Sequence, residues 1–369
     1  MIGLLCGAML AGAVAAWMAG WWMRWKAPAW GFVDRPGAHK AHSRPVPLGG
    51  GVAIWLGVVG PFAVGQCVLW GIAADAIAPT LFPPHVALHV AGLIRQSSEL
   101  WFLLAAGTVM LILGLVDDRV GLSWKLRIGV QFLVAVAVVA HGWRLALFID
   151  APALTAALSV VWIVGLINSF NMLDNMDGLS AGVAAIAAAV LATVMFTVPD
   201  PQTHLPQLFV GGFLLVLVGS LSGFLWHNHV PARLYMGDGG SYFIGFCLAI
   251  ATLTGSFAGG SIPPHAVLAP VCALAVPLYD TVSVVSIRLR AGRSPFRADR
   301  SHFSHRLVEM GLSKGHAVWT IYLTTATCGY GALLLHQVDT FGAVVISLLV
   351  GSVLAIVAIL ETAGRRNDR

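Results

Sequence analysis

About eleven stretches of roughly 20 apolar residues, divided by short polar connections, leave this chain one broad architecture. They run over 2–23, 49–70, 100–116, 128–148, 153–171, 179–198, 207–226, 239–258, 265–287, 316–335 and 340–360. A helix of about 20 residues rises about 30 Å, the thickness of a bilayer's hydrocarbon core. Lipid offers backbone N–H and C=O groups no partner, so each stretch must satisfy its own as a helix. Hydrophobic residues make up 58% of the chain and charged residues only 10%. Soluble domains carry about 25% charged residues, so a water-facing surface cannot be built from the remainder. The expected fold is all-α: a single polytopic membrane domain over 1–369 with about eleven transmembrane helices. The first stretch reads as a span and not as a removable leader. It is too long for one, its start lacks basic residues, and Trp21, Trp22, Trp25 and Trp30 follow it as an interfacial belt.

Sidedness follows from charge. With the N-terminus outside, the connections near 24–48, 117–127, 172–178, 227–238 and 288–315 share one face with the C-terminal tail. That face holds 19 of the 21 Lys and Arg residues, leaving Arg95 and Arg144 opposite. The positive-inside rule makes it cytoplasmic, and the C-terminus with it. The 5 cysteines lie in apolar stretches without CxxC spacing, so neither a disulfide framework nor a zinc site is expected. The expected partners are the lipid bilayer and anionic small molecules, not nucleic acid.

Five polar clusters fall on the same face. In GLVDDRVGLSWKLR (114–127), Asp117 and Asp118 end an apolar helix, where carboxylates cost free energy unless paired or metal-bound. Lys125 and Arg127 are near enough to neutralise them, so a helix-end ion network is the alternative reading. In NSFNMLDNMDGLSAG (168–182), Asn168, Asn171, Asp174 and Asp177 recur every third residue and would line one helix face. Such hard oxygen ligands suit Mg²⁺; a hydrogen-bonded helix seam is the competing use. In RLYMGDGGSYFIGF (233–246), Asp238 sits among glycines at a helix start, either in an anion-binding turn or as an N-cap. RAGRSPFRADRSHFSHRL (290–307) joins arginines to His302 and His305, suited to phosphate oxygens or to anionic headgroups. GFVDRPGAHKAHSRPVPLGGG (31–51) offers Lys40 and His42 as phosphate contacts, or serves only to fix topology.

In this order the five clusters resemble the polyprenyl-phosphate N-acetylhexosamine-1-phosphate transferase family over nearly the whole chain. The resemblance implies eleven helices with the N-terminus outside. It also implies a Mg²⁺-dependent reaction, with Mn²⁺ as a substitute ion, at the cytoplasmic face of a bacterial inner membrane. A UDP-N-acetylhexosamine, usually UDP-GlcNAc, gives its sugar-1-phosphate to polyprenyl (undecaprenyl) phosphate, releasing UMP and starting an envelope glycan such as O-antigen. Asp238 and Asn171 match the family's metal positions, and Asp117 and Asp118 its aspartate pair, with Asp117 activating or positioning the lipid phosphate. Asp174 and Asp177 match the nucleotide-side acidic pair, and Lys125 the downstream lysine. Arg300, His302, Ser304 and His305 match the loop that contacts sugar and diphosphate. The catalytic set implied is Asp117, Asp118, Asp238, His302 and His305.

Two positions depart from the family's pattern. DGxDG becomes Asp174-Asn175-Met176-Asp177-Gly178, and HxHH becomes His302-Phe303-Ser304-His305. Both bear on sugar identity more than on the reaction. The relative that makes peptidoglycan lipid I, the phospho-MurNAc-pentapeptide transferase, carries a consecutive His triplet absent here and ranks second. A transporter of anionic lipid or sugar phosphate, from another class, would place charges at the membrane midplane on broken helices. Here the spans are nearly free of ionisable residues, Asp280 being the main exception. Oligomeric state is left open, a homodimer included.

Overall fold

A computed structural model describes residues 2–34, 45–78, 90–146, 151–201, 203–255, 257–259, 262–295 and 301–364. Within them lie the helices α1 (Ile2–Lys26), α2 (Gly50–Ala73), α3 (Val90–Val120), α4 (Trp124–Ala140), α5 (Pro152–Leu173), α6 (Leu179–Thr197) and α7 (Leu208–Asn228). They continue with α8 (Gly237–Thr254), α9 (Ala269–Ala273), α10 (Ala275–Arg290), α11 (Phe303–Glu309), α12 (Lys314–Leu334) and α13 (Thr340–Gly364). A two-residue antiparallel ribbon, β1 (Val33–Asp34) with β2 (Val46–Pro47), pairs Val33 with Pro47 and Asp34 with Val46.

Every expected apolar stretch coincides with a helix or with the α9–α10 pair. Fewer are long and apolar enough to cross a membrane by themselves. Among the described residues 7 helices meet that requirement: α1, α2, α3, α5, α6, α7 and α13. An eighth is added if the turn 264–268, α9 and α10 form one span, bent by 72°. The shortfall from eleven lies in α4, α8 and α12. Helix α4 has 17 residues, which rise only about 26 Å. The polar first turns of α8 (Gly-Asp-Gly-Gly) and α12 (Lys-Gly-His) dilute otherwise apolar helices.

Helix α8 is the hub. Every residue from Gly239 to Leu253 is buried, because α2, α3 and α5 surround it. A helix that is apolar on all sides belongs in such a position. The Trp162 indole N–H of α5 donates to the Thr252 hydroxyl near the far end of α8, at 2.8 Å. The outer face is equally apolar. Phe341, Leu348 and Ile359 of α13 are exposed, as are Trp21 and Trp25 of α1, and apolar surface of that extent is tolerable only against lipid. All five cysteines are free thiols. Because α8 is enclosed, whatever gathers around its first turn is held by four or five neighbouring helices at once.

Candidate active site

The site is organised around the start of α8. Gly237 adopts φ +72°, a left-handed conformation that side chains rarely take, and this turns the chain into the helix. Gly114 of α3 lies against the backbone of Asp238 so closely that a Cβ there would clash with the Asp238 carbonyl. That approach brings the end of α3 onto the first turn of α8. The Asp118 carboxylate then accepts the backbone N–H of Asp238 at 2.9 Å and that of Gly239 at 3.4 Å. Two of the four N–H groups that a helix start leaves without partners are thus satisfied from another helix. Asp118 holds Asp238 in place.

Its neighbour is held by other donors. Asp117 is 6% exposed, and its carboxylate is fully engaged. One oxygen accepts the Leu122 N–H at 2.8 Å; the other accepts from Arg127 at 2.8 Å and from the Tyr242 hydroxyl at 3.0 Å. Arg127 also lies 3.9 Å from the Asp238 carboxylate. A buried carboxylate is stable only when so paired. Of the two cations expected to neutralise the acidic pair, Arg127 does so, whereas Lys125 is exposed with its ammonium 5.9 Å from the Trp124 ring centroid.

The end of α5 supplies the other wall. The Asn171 amide donates to Asp238 at 2.7 Å and to the Ser241 hydroxyl at 3.1 Å, and its carbonyl oxygen is a ligand type that suits a hard cation. Asp174 stands just beyond the helix, and burial, followed by the charges of Asp238, Asp118 and Asp177, pushes its carboxyl well above the ordinary range. Asp177 accepts the Ala232 N–H at 2.9 Å. Gly178, at φ +76°, starts α6; its N–H goes to Asn228 and its carbonyl accepts from Tyr322. Asn168 does not share the face expected of it: its amide donates to Gln131 of α4 at 2.6 Å.

Among the described residues no three acidic, histidine or cysteine side chains form a ready-made metal cage. Mg²⁺ asks for less where phosphates are present, taking one or two carboxylates and completing its shell with water and phosphate oxygens. The adjoining Asp238 and Asn171, inside a cluster of carboxylates, fit that requirement.

Helix α11 forms the rim. Asp280 of α10, fully buried, accepts the His302 ring N–H at 3.0 Å through one oxygen and the Phe303 backbone N–H at 2.6 Å through the other. The His302 and His305 rings then lie edge to face with centroids 6.3 Å apart. Ser304 is buried, and its hydroxyl donates to the Asn175 side-chain carbonyl. Arg306 pairs with Glu361 of α13 at 3.0 Å. The structure therefore brings together Asn171, Asp174, Asp177, Asp117, Asp118 and Asp238, and ties Ser304 to the same loop. Lys40, His42 and Arg300 lie outside the described residues. Arg127, Tyr242 and Asp280 were not among the expected site residues. Arg127 gave a signal in sequence as a cation near the acidic pair, and Asp280 as a charge within an apolar stretch; Tyr242 gave none.

Residues 100–256 match the family described as glycosyl transferase family 4. The chain is 29% identical to the "Probable undecaprenyl-phosphate N-acetylglucosaminyl 1-phosphate transferase" of Bacillus subtilis, covering 92% of this chain and 86% of that protein. It is 31% identical to the "Decaprenyl-phosphate N-acetylglucosaminephosphotransferase" of Mycobacterium tuberculosis, over 97% of this chain and 89% of that one. With the "Undecaprenyl-phosphate alpha-N-acetylglucosaminyl 1-phosphate transferase" of Escherichia coli it shares 30% identity, over 80% and 74%.

Proposed function

This chain belongs to glycosyl transferase family 4, and from that premise we propose that it transfers N-acetylglucosamine-1-phosphate from a UDP-sugar to polyprenyl phosphate, releasing UMP. The observation that carries the reading is the junction of Asp238 with Asn171 at the first turn of α8, ringed by Asp118, Asp174 and Asp177. Relatives of this length and similarity bear names of that reaction on undecaprenyl and decaprenyl phosphate.

Both reactants are anionic, so catalysis is largely positioning and charge neutralisation. A phosphate oxygen of the lipid attacks the phosphorus bearing the sugar. The bond from that phosphorus to the uridylate oxygen breaks, and UMP leaves with the electron pair. Asp238 and Asn171 would hold Mg²⁺, or Mn²⁺ in its place; when bound, the ion supplies charge neutralisation at the diphosphate. Asp174 and Asp177 stand on the nucleotide side, His302 and His305 on the side of the sugar and diphosphate, with Lys40, His42, Lys125 and Arg300 as further anion contacts. A phosphate monoester is already largely ionised near pH 7. Asp117, engaged by three donors, therefore has no proton to remove; it holds Arg127 beside the phosphates.

In this reading all eleven helical segments cross a bacterial plasma membrane, with α4, α8, α12 and the bent α9–α10 pair included. The N-terminus is outside, and the site and C-terminus are cytoplasmic, where nucleotide sugars are found. The charge asymmetry of 19 among 21 Lys and Arg residues supports that orientation.

The test uses purified protein, undecaprenyl phosphate, Mg²⁺ and a panel of UDP-sugars, with UMP release as readout. UDP-GlcNAc should give UMP and a lipid-linked product. No UMP from any donor would overturn the reaction, and turnover of UDP-MurNAc-pentapeptide alone would transfer the reading to the lipid I activity.

A further inference from the structure

The two places where this chain departs from its family's pattern touch one another. Asn175 stands where DGxDG has glycine, Ser304 stands where HxHH has histidine, and the Ser304 hydroxyl donates to the Asn175 carbonyl across 129 positions of sequence. The amide is held from its other end as well, its N–H group donating to the Met172 carbonyl at 2.9 Å. Nothing in the backbone calls for glycine at 175. Among the described residues the non-glycine positions with positive φ are Asp75 and His204, so Asn175 sits in an ordinary conformation. Ser304 is 1% exposed. A histidine there would need room that the Asn175 amide occupies, and a glycine at 175 would vacate it.

We propose that Asn175 and Ser304 are a matched positioning pair that locks α11 onto the 174–178 loop and so sets the affinity for the nucleotide sugar. This rests on the proposed transferase reading, in which those two segments face the donor. The loop carries Asp174 and Asp177, and α11 with its N-cap carries His305 and His302, so this contact links the nucleotide side to the sugar-diphosphate side. Ser304 acts through that contact and not by touching the sugar, because its hydroxyl hydrogen is already given to Asn175. The tethers of α11 to Asp280, Ser283 and Glu361 run to α10 and α13, whereas this bond runs to the loop.

The test is a double-mutant cycle, read as KM for UDP-GlcNAc and kcat separately. Asn175→Ala and Ser304→Ala should each raise donor KM about 5-fold, the scale of one hydrogen bond, with kcat within about twofold. Their combination should also sit near 5-fold and not near 25-fold, because one contact is lost once. Ser304→Thr keeps the hydroxyl and should stay within about twofold of the wild type. Ser304→His should be worse than Ser304→Ala, and Asn175→Gly should relieve it. The same cycle in thermal unfolding of the detergent-purified protein reports the contact independently of activity. Coupling in unfolding without coupling in KM would overturn the donor role, and additive effects in both would overturn the pair. Failure of the transferase reading would be visible earlier, as a wild-type protein that releases no UMP.

Discussion

Replacing Asp118 by asparagine tests whether the acidic pair works by holding the start of α8. The substitution preserves shape, so no cavity forms. The amide oxygen can still accept one N–H, but its NH₂ group must then face the other, donor against donor. What is lost is one charge-assisted hydrogen bond, worth about 1.5–3 kcal/mol. A carboxylate's favourable interaction with a helix N-terminus, about 0.3–1 kcal/mol, is lost as well. The total is about 2–4 kcal/mol, and at 1.36 kcal/mol per tenfold a loss of about 2.7 kcal/mol expressed in the transition state is about 10² in rate. Asp238 follows directly from the N–H that Asp118 holds at 2.9 Å, so displacement there is felt at the proposed metal position. UMP release by Asp118→Asn should therefore fall about 10²-fold, with a lower thermal midpoint in detergent. Asp118→Glu should not rescue it, since the longer side chain moves the carboxylate off both N–H groups. Turnover of Asp118→Asn within about threefold of the wild type would refute the reasoning and reduce the contact to packing.

Chelation of divalent ions, or Asp238→Asn, should abolish UMP release while the protein still inserts and purifies normally; undiminished turnover in excess chelator would remove the metal assignment. Asp280→Asn leaves an acceptor for only one of its two N–H partners, so it should raise donor KM about tenfold, the cost of one charge-assisted hydrogen bond at the low end. If KM stays fixed while stability drops, Asp280 serves the fold alone. A cysteine replacing Ser301 should react with a membrane-impermeant thiol reagent only in opened cells or inverted vesicles, and one replacing Thr203 should react in intact cells. The reverse pattern would put the site on the wrong side for nucleotide sugars.

The helices were legible because lipid leaves an apolar stretch no other way to satisfy its backbone. The polar clusters were legible because carboxylates and histidines at helix ends are costly without a task. Geometry within the clusters was not. Residues three apart were expected to share a face, yet three residues turn a helix about 300°, so each step drifts about 60°. Over the three steps from Asn168 to Asp177 the drift is about half a turn. Asn168 accordingly faces Gln131 of α4, while Asn171 faces Asp238, and α5 has already ended at Leu173 before Asp174. Lys125 and Arg127, two residues apart, diverge about 160° on α4; Arg127 reaches Asp117 and Lys125 does not.

The acidic pair carries this furthest. Asp117 and Asp118 are one motif in sequence, and their side chains leave the helix about 100° apart. Asp117 meets Arg127 of α4, ten positions on, and the Tyr242 hydroxyl of α8; Asp118 meets the start of α8, where two N–H groups wait 120 and 121 positions on. Identical chemistry is thereby divided between holding a cation and holding a helix start. Neither partner is near enough in sequence for spacing to reveal which residue takes which task. Asp280 repeats the lesson, since a stray charge in an apolar stretch becomes the anchor of His302 only when α10 and α11 are packed together. For such groups the residue type predicts that a partner exists, and only the packing of helices says which partner it is. The two departures at 175 and 304 follow the same rule: apart, each looks like the loss of a family residue, and in contact they are a substitution for it.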